Sequence, residues 1–250
     1  SMNLKEKALS GQKIFGTMIR IQRSPAIAYA AKNSGLDFVM YDCEHSSYTM
    51  ENLHDLFVTG NALGLESFLR VPELRRSYIS RALDLGASGV MVPMLNTGDM
   101  AADLVSYSKY LPIGERGFTA CGAHSDYRGG KHLDVMAEGN ARTISIAQIE
   151  TVTALENIDA IAATDGLDAL LIGPNDLSIS LGIPGKLTAP EELNAIQLVI
   201  DACKRHHKLF GMHAGPNLLK MFYQDLDIVM MKPDVDFLTE GFQSVKNCFQ

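Results

Sequence analysis

The sequence contains no tryptophan and only four cysteines in 250 residues. These cysteines, at positions 43, 121, 203 and 248, are widely separated, and no two of them form a CxxC pair. Zinc sites usually take their cysteines from closely spaced pairs, and disulfide frameworks are typical of short, cysteine-dense chains, so the sequence favours neither. We expect reduced thiols, as in a cytoplasmic protein.

The sequence also lacks long apolar segments and a net positive charge. No apolar run reaches the roughly 18 residues that a membrane-spanning helix needs, and the first residues lack the apolar core of a signal peptide. Ser1 ahead of Met2 is typical of a residue left by a cloning vector. The net charge of −7 argues against nucleic acid or an anionic membrane as the main partner. We therefore expect a cytoplasmic protein that acts on small molecules.

Nucleotide-binding motifs are absent, whereas short apolar segments alternate with helical patterns along the whole chain. No GxGxxG follows the first predicted strand, and there is no Walker A loop. Eight strand–helix units in about 250 residues predict one (β/α)8 TIM barrel as a single domain over residues 1–250, with an open doubly wound sheet as the alternative. The predicted strands are 13–19, 38–42, 67–71, 89–94, 143–148, 169–172, 209–213 and 228–231. The predicted helices are 25–32, 49–62, 77–85, 99–110, 131–140, 154–163, 190–206, 216–223 and 234–245.

Polar side chains stand where the apolar strands end, which is where barrel enzymes place their chemistry. Asp42, Glu44 and His45 follow the second strand, although a polar loop with a hydrogen-bonded histidine would give the same pattern. Because the carboxyl ends of barrel strands converge, we expect these side chains to share one pocket with those of the other strands. The other strand ends contribute Arg70, Gln148, Glu150, Asn175, Asp176, His213 and Lys232.

Two of these carboxylates, Glu150 and Asp176, follow adjacent strands and should repel each other unless a positive charge lies between them. Oxygen ligands of this kind suit Mg²⁺ or Mn²⁺, and Co²⁺ is a further option, whereas a zinc site would use more His or Cys. The alternative is that Arg70 alone neutralises the pair. The sequence favours a divalent metal site.

The remaining strand ends suggest enolate chemistry on a small 2-oxo acid. The planar fork of Arg70 suits an oxyanion or a carboxylate, and the turn 173–176 offers backbone N–H groups to a carboxylate. A metal ion and Arg70 would stabilise negative charge on an oxygen, and His45 would move a proton. The alternatives are a structural salt bridge from Arg70 to Glu44 or Glu150 and an ordinary strand-to-helix turn at 173–176.

The same residues resemble the metal-dependent (class II) pyruvate aldolases of the 4-hydroxy-2-oxoheptanedioate and 2-dehydro-3-deoxyglucarate aldolase family. The likeness extends from Gly16 to about Leu238. It rests on seven motifs in the family's order: Gly35-Leu36-Asp37-Phe38 with Asp42-x-Glu44-His45, Leu69-Arg70-Val71-Pro72, Leu83-Asp84-x-Gly86-Ala87, Val90-x-Val92-Pro93-Met94, Gly114-x-Arg116-Gly117, Gln148-Ile149-Glu150-Thr151, and Ile172-Gly173-Pro174-Asn175-Asp176-Leu177-Ser178.

The resemblance implies a phosphoenolpyruvate/pyruvate-type barrel that reversibly cleaves 4-hydroxy-2-oxo acids to pyruvate and an aldehyde. His45 would be the base, acting through a water, and Arg70 would stabilise the enolate. Glu150 and Asp176 would hold the metal. Gln148 and the backbone of Asn175 and Asp176 would contact the 2-oxo acid, while Asp42 and Glu44 would orient neighbouring groups and metal-bound waters.

The resemblance also assigns to Asp84 the role of raising the basicity of His45. Asp84 ends the third predicted helix, which runs back to the opposite face of the barrel, so the two residues should be far apart within one chain. We therefore predict that Asp84 serves His45 of a neighbouring subunit. A homo-oligomer would be required, in line with the homohexamers of the family that this chain resembles.

Some residues depart from the family pattern and leave the aldehyde half of the substrate open. Arg20, Gln22 and Arg23 stand where the family usually has small residues, and the loop 118–127 differs from the usual sequence. Near the eighth strand, Lys232 precedes Pro233 and Asp234 in place of Gly-x-Asp. These changes leave the residues expected to hold pyruvate intact.

Three alternatives remain at this level. Lys232, at a strand end, could form a Schiff base with a 2-oxo acid, which would leave the metal carboxylates without a role. Related barrels include lyases that act on CoA thioesters, although no basic nucleotide groove is evident in this sequence. A barrel that binds a 2-oxo acid without catalysis is the third possibility.

Overall fold

The computed structural model describes residues 2–250, so Ser1, which we interpreted as vector-derived, lies outside them. Eight strands pair in parallel and in sequence order, and β8 pairs with β1 to close the barrel. The predicted barrel is confirmed, and the open sheet is excluded. The strands are β1 Ile14–Ile19, β2 Phe38–Asp42, β3 Glu66–Arg70, β4 Gly89–Val92, β5 Ile144–Ile149, β6 Ala169–Ile172, β7 Leu209–Ala214 and β8 Ile228–Pro233.

Helices follow every strand and cover most of the barrel. The predicted irregular segment 111–130 holds only one 3₁₀ turn, Ala123–Ser125. In the described residues none of the helices is both long and apolar enough to cross a membrane. The helices are α1 Leu4–Leu9, α2 Ile27–Asn33, α3 Met50–Leu63, α4 Arg76–Asp84, α5 Gly98–Ser108, α6 His132–Arg142, α7 Val152–Glu156, α8 Ile158–Ala162, α9 Pro174–Ser180, α10 Pro190–His206, α11 Pro216–Met221 and α12 Asp234–Asn247.

Two helix predictions need correction. The helix expected from Pro25, with Ser24 as its N-cap, begins at Ile27, because the segment 24–26 first forms a tight turn closed by a 3.1 Å hydrogen bond from the Ile27 N–H to the Ser24 carbonyl. The single helix expected over 154–163 is two helices, α7 and α8, interrupted at Asn157. By contrast, Thr49 caps α3 as predicted, since its hydroxyl accepts the Asn52 N–H at 3.2 Å.

The apolar core lies in two layers, one inside the barrel and one between the barrel and its helices. The inner layer includes Ile14, Phe38 and Phe68, all fully buried. The short helix α1, which the sequence did not predict, covers the amino-terminal end of this layer by packing Leu4 and Ala8 against it. That end is therefore closed by apolar packing, which leaves the carboxyl ends of the strands as the open face.

The last helix, α12, is 14 residues long and buries only Asp234. Large apolar side chains such as Phe242 and Val245 are exposed along it. Beside its start, the outer surface of β1 and β8 carries an apolar groove of about 580 Å³, bordered by α2 and α11 and lined by Phe15, Tyr223 and Val229 among others. One chain thus presents both an uncovered helix and an uncovered apolar groove.

The buried Glu192 on α10 provides a test of how the helices pack. Both of its carboxyl oxygens are buried without a hydrogen-bond partner, and burial raises the pKa of Glu192 from 4.5 to about 7. The unfolded chain releases this proton more readily, so stability is lost as the pH rises from about 4.5 to about 7, and the loss stays constant above that.

We expect Glu192→Gln to raise the free energy of unfolding by about 1–3 kcal/mol at pH 8 and to change it little at pH 5. Urea unfolding at both pH values measures the difference. The exposed neighbour provides the matched control, because Glu191→Gln should be neutral at both. An equal effect of Glu192→Gln at pH 5 and pH 8 would contradict this explanation.

Candidate active site

A cavity of about 370 Å³ opens at the carboxyl ends of the strands. Of the residues expected in one pocket, those at the ends of strands two, three, five, six, seven and eight line it together. Asp42 and Glu44 do not line the cavity but form salt bridges with Arg70, which does. Asp84 does not reach the cavity. The predicted residues that line it are His45, Arg70, Gln148, Glu150, Asn175, Asp176, His213 and Lys232.

Arg70 and Asp42 form a fully buried ion pair at the base of the cavity. Arg70 Nε donates to Asp42 Oδ1 at 2.9 Å and Nη2 donates to Oδ2 at 2.7 Å, which fixes the guanidinium in its plane. Burial opposes the charge on Asp42, but the hydrogen bonds and positive charge of Arg70 outweigh it and hold the pKa of Asp42 below its ordinary value. Asp42 therefore orients Arg70, and the remaining nitrogen, Nη1, faces Glu44 at 3.1 Å.

The segment after β2 presents His45 to the cavity. Asp42 Oδ1 accepts the backbone N–H groups of Glu44 at 3.0 Å and His45 at 3.3 Å, so the same carboxylate that holds Arg70 also shapes this turn. The imidazole itself is 55% exposed, and its Nε2 lies 3.6 Å from Glu44 Oε2. No hydrogen bond joins the ring to Asp42, which bonds only to the His45 backbone N–H. His45 is free to meet a substrate or a water.

Glu150 is the most deeply buried carboxylate of the cavity wall. Its Oε1 accepts the Met94 N–H at 2.7 Å, and Met94 itself has a left-handed φ of +50°. A Cβ atom at Gly173 would lie 2.7 Å from both Glu150 Oε2 and Gln148 Nε2, so the glycine lets the turn after β6 approach these two side chains closely. Burial, with the negative charges of Glu44 and Asp176, raises the pKa of Glu150 to about 7.

The negative charges of Glu44 and Asp176 thus add to the cost of ionising Glu150 in one small space. Burial also raises the pKa of Glu44, whose Oε2 is buried and lacks a hydrogen bond. Among residues 2–250, no three His, Cys, Asp or Glu side chains converge closely enough to enclose a metal by themselves. A cation held by Glu150 and Asp176, with its other positions left to water and substrate, fits this donor set, because Mg²⁺ and Mn²⁺ keep several such positions.

Gln148 and the start of α9 form the adjoining wall. The Gln148 amide is buried and its Oε1 lies 3.4 Å from Arg70 Nη1, while its Nε2 faces Gly173. Asn175 and Asp176 belong to the first turn of α9, where backbone N–H groups have no partner within the helix. The side-chain amide of Gln148 on β5 and the backbone N–H groups at the start of α9 therefore lie at the same cavity as the carboxylates.

Asp84 lies at the opposite rim of the barrel, at the end of α4. Its Oδ1 accepts a 2.7 Å bond from Arg116 Nη2, and its side chain is still 38% exposed. The 3₁₀ turn of the loop 118–127 packs against the same end of α4. Asp84 and this loop are therefore on one surface, and neither lies near His45 of the same chain.

Two further cavity residues have roles that the sequence did not reveal. Lys232 is in salt-bridge contact with Glu240. The His213 ring donates from Nε2 to the Lys232 carbonyl at 3.1 Å, and burial lowers the pKa of His213 to about 4, so the ring is neutral. The sequence analysis also missed Met94 and Gly173 as supports of Glu150. The signals available in the sequence were the motif Val92-Pro93-Met94 at the end of β4 and Gly173, directly after β6.

Comparison with known proteins gives a consistent picture. The family model described as HpcH/HpaI aldolase/citrate lyase matches residues 21–226. A 2-keto-3-deoxy-L-rhamnonate aldolase of Klebsiella pneumoniae is 36% identical over 211 residues, which are 84% of this chain and 77% of that protein. An HpcH/HpaI aldolase from Desulfitobacterium hafniense is 30% identical and superposes with a TM-score of 0.93 over 99% of this chain and 97% of that one. The citrate synthase SbnG is 26% identical with a TM-score of 0.88, covering 99% and 97%.

Proposed function

The chain belongs to the HpcH/HpaI aldolase/citrate lyase family, and on that premise we propose that it cleaves a 4-hydroxy-2-oxo acid reversibly to pyruvate and an aldehyde. The family match confirms the resemblance drawn from the motifs, and the chain is a carbon–carbon lyase of the pyruvate aldolase kind. The observation that carries the proposed reaction is the position of Arg70, which is fixed by Asp42, lies next to Glu44 and the buried Glu150, and lines a cavity that also exposes His45.

Each side chain and backbone group of the cavity has a role in this reaction. Arg70 presents a fixed positive charge to the oxygen that becomes negative when pyruvate turns into its enolate. Gln148 and the first-turn N–H groups of α9 bind the 2-oxo acid carboxylate. In cleavage, His45 removes the proton from the 4-hydroxyl, directly or through a water, and delivers it to the CH2 carbon of the enolate, which becomes the methyl group of pyruvate. In aldol addition both proton transfers run in reverse.

Glu150 and Asp176 would hold the divalent cation, Mg²⁺, Mn²⁺ or Co²⁺. The bound ion would supply Lewis-acid stabilisation of charge on the substrate oxygens. Glu44 lies close enough to influence the ionisation of Glu150 and would bind water in the cation's coordination sphere. These roles use oxygen donors alone, as the chemistry of such ions requires.

Pyruvate release from a panel of 4-hydroxy-2-oxo acids of different length and charge tests this function. The panel should include 2-keto-3-deoxy-L-rhamnonate, the substrate in the name of the Klebsiella relative. We expect cleavage of at least one member, dependent on an added divalent metal. Metal-loaded protein that binds pyruvate but cleaves none of the panel would contradict the proposal.

The Schiff-base alternative loses support from the geometry of Lys232. A lysine must be neutral to attack a carbonyl, whereas the Lys232 ammonium is paired with Glu240 and lies 5.9 Å from the Phe237 ring centroid, both on α12. Borohydride reduction in the presence of pyruvate should leave the mass of the protein unchanged. A reduced adduct at Lys232 would instead establish that mechanism.

We further propose that the working site is shared between subunits, with Asp84 of one chain beside His45 of the next. The exposed carboxylate of Asp84, already oriented by the buried Arg116, supports this arrangement. So do the uncovered α12 and the uncovered apolar groove beside β1 and β8, because both surfaces would be covered in an oligomer. The loop 118–127 would reach the neighbour's site together with Asp84.

Mixed oligomers test the shared site. His45→Asn and Asp84→Asn are each expected to lose most of the cleavage activity, because each removes one half of the pair. When the two variants are unfolded and refolded together, oligomers form in which one site has both wild-type residues, so activity should reappear. Failure of the mixture to exceed the separate variants, while each variant still assembles, would contradict a shared site.

A further inference from the structure

Asp234 is a buried carboxylate that none of the proposed steps uses. It is the first residue of α12, and only 6% of it is exposed. Its Oδ1 accepts the backbone N–H of Arg20 at 2.9 Å, and its Oδ2 accepts those of Ile21 and Gln22 at 3.1 Å each. One side chain of α12 therefore binds three successive N–H groups of the loop that follows β1.

The same loop is held from its other side by the segment that follows β2. Tyr48 donates its hydroxyl to the Gln22 carbonyl at 2.8 Å, and Arg23 Nη2 donates to Ser47 Oγ at 2.7 Å. Because β1 lies between β8 and β2 in the barrel, the loop is fixed from both neighbouring strands. The side chain of Arg20 therefore starts from a defined position at the cavity wall.

Arg20 connects this fixed loop to the buried ion pair of the active site. Its Nε donates to Asp42 Oδ2 at 2.9 Å, and the same oxygen accepts Arg70 Nη2 at 2.7 Å. Burial raises the pKa of Asp42, but the hydrogen bonds and charge of Arg70, and then the charge of Arg20, bring it below its ordinary value. Two guanidinium groups thus share one ionised and fully buried carboxylate.

The charge of Arg20 matters because Arg70 contacts two carboxylates. Arg70 is paired with Asp42, and its Nη1 lies 3.1 Å from Glu44 Oε2. With both carboxylates ionised, Arg70 alone would be one cation against two anions, next to the place where the enolate oxygen becomes negative. Arg20 balances the second anion, and charges act strongly on each other in such a buried site.

We propose that Asp234 is a positioning residue, which fixes the loop 20–22 so that Arg20 stays on Asp42 and Arg70 keeps the orientation and the charge that the enolate requires. This inference rests on the proposed function, because there Arg70 meets the enolate oxygen. The last helix thereby acts on the chemistry through its first residue, although none of its other residues is buried.

A double-mutant cycle on the exchange of pyruvate methyl protons in D₂O tests the proposal, because exchange needs the enolate and no aldehyde. Asp234→Asn and Arg20→Met should each lower the kcat of exchange by about tenfold, since each breaks a charge-assisted contact. The KM for pyruvate should change little, as expected for an interaction that matters in the transition state. The double variant should be no slower than the slower single one, because both act through one contact.

Asp227→Asn is the matched control, because the Asp227 carboxylate also accepts a backbone N–H, that of Phe210 at 2.9 Å, but lies before β8 and away from the cavity. It should keep the wild-type kcat. Arg20→Met breaks the same link without touching α12, so a wild-type kcat in that variant would overturn the proposal even if Asp234→Asn did not fold. Losses that multiply in the double variant, or that appear only in the KM, would also overturn it. Absence of metal-dependent exchange in the wild type would instead count against the aldolase itself.

Discussion

Replacing His45 by Asn should slow cleavage and aldol addition by roughly 10²–10⁴-fold, which is the usual contribution of a general base. The asparagine keeps the size and polarity of the side chain but cannot take a proton. His45 is 55% exposed, and its imidazole lies beside the carboxylates without bonding to Asp42. Folding and metal binding should therefore persist, and steady-state kinetics should show the loss in kcat.

The matched control is His206→Asn. His206 ends α10, its Nε2 lies 3.1 Å from Asp159 Oδ1, and it does not line the cavity. It should retain wild-type kcat. A His45→Asn enzyme with undiminished kcat would show that another group moves the proton. His213 does not qualify, because burial lowers its pKa to about 4 and the ring therefore does not hold a second proton at neutral pH.

Replacing Glu150 by Gln should abolish metal-dependent activity at ordinary metal concentrations. The change exchanges one carboxylate oxygen for an amide N–H₂ and removes the negative charge that would hold the cation with Asp176. The Met94 N–H can still bond to the remaining oxygen, so the variant should keep its fold. Isothermal titration with Mn²⁺ should show weaker binding, and excess metal should restore part of the activity.

Glu192→Gln is the control for this variant, because Glu192 is also buried with a pKa raised to about 7 but does not line the cavity. It should bind Mn²⁺ like the wild type. Equal metal affinity in Glu150→Gln and the wild type would contradict the assignment of Glu150 as a ligand.

The pKa of Glu150 gives the same assignment a pH dependence. Burial, together with Glu44 and Asp176, raises that pKa to about 7, so in the metal-free enzyme the carboxyl is mostly protonated below pH 7. The cation must displace this proton. Apparent metal affinity should therefore fall as the pH drops below about 7, and the dependence should disappear in Glu150→Gln.

The strand-end residues could be predicted because barrel geometry brings distant positions together once the strands are recognised. Glu150 and Asp176 are separated by a helical segment in the sequence, yet they line one cavity because β5 and β6 are neighbours. The polar residues after apolar strands were sufficient for this inference. The fold followed from the same alternation of apolar strands and helices.

The detailed pairing could not be predicted, because it depends on side-chain rotamers and local backbone angles. The sequence offered Glu44 and Glu150 as partners of Arg70, whereas the bidentate partner is Asp42, which also binds Arg20. Met94, whose N–H bonds to Glu150, has a left-handed φ that a glycine would have indicated but a methionine does not. The break at Asn157 and the exposure of α12 likewise depend on packing that periodicity does not encode.

Exchange of the pyruvate methyl protons in D₂O is the most direct measurement of the central claim, because it needs the enolate but no aldehyde. Proton NMR of pyruvate with the Mg²⁺-loaded enzyme should show loss of the methyl signal, and a chelator or His45→Asn should slow that loss strongly. Exchange that persists at the wild-type rate after both treatments would contradict the account. So would pyruvate that binds to the loaded wild type without any exchange.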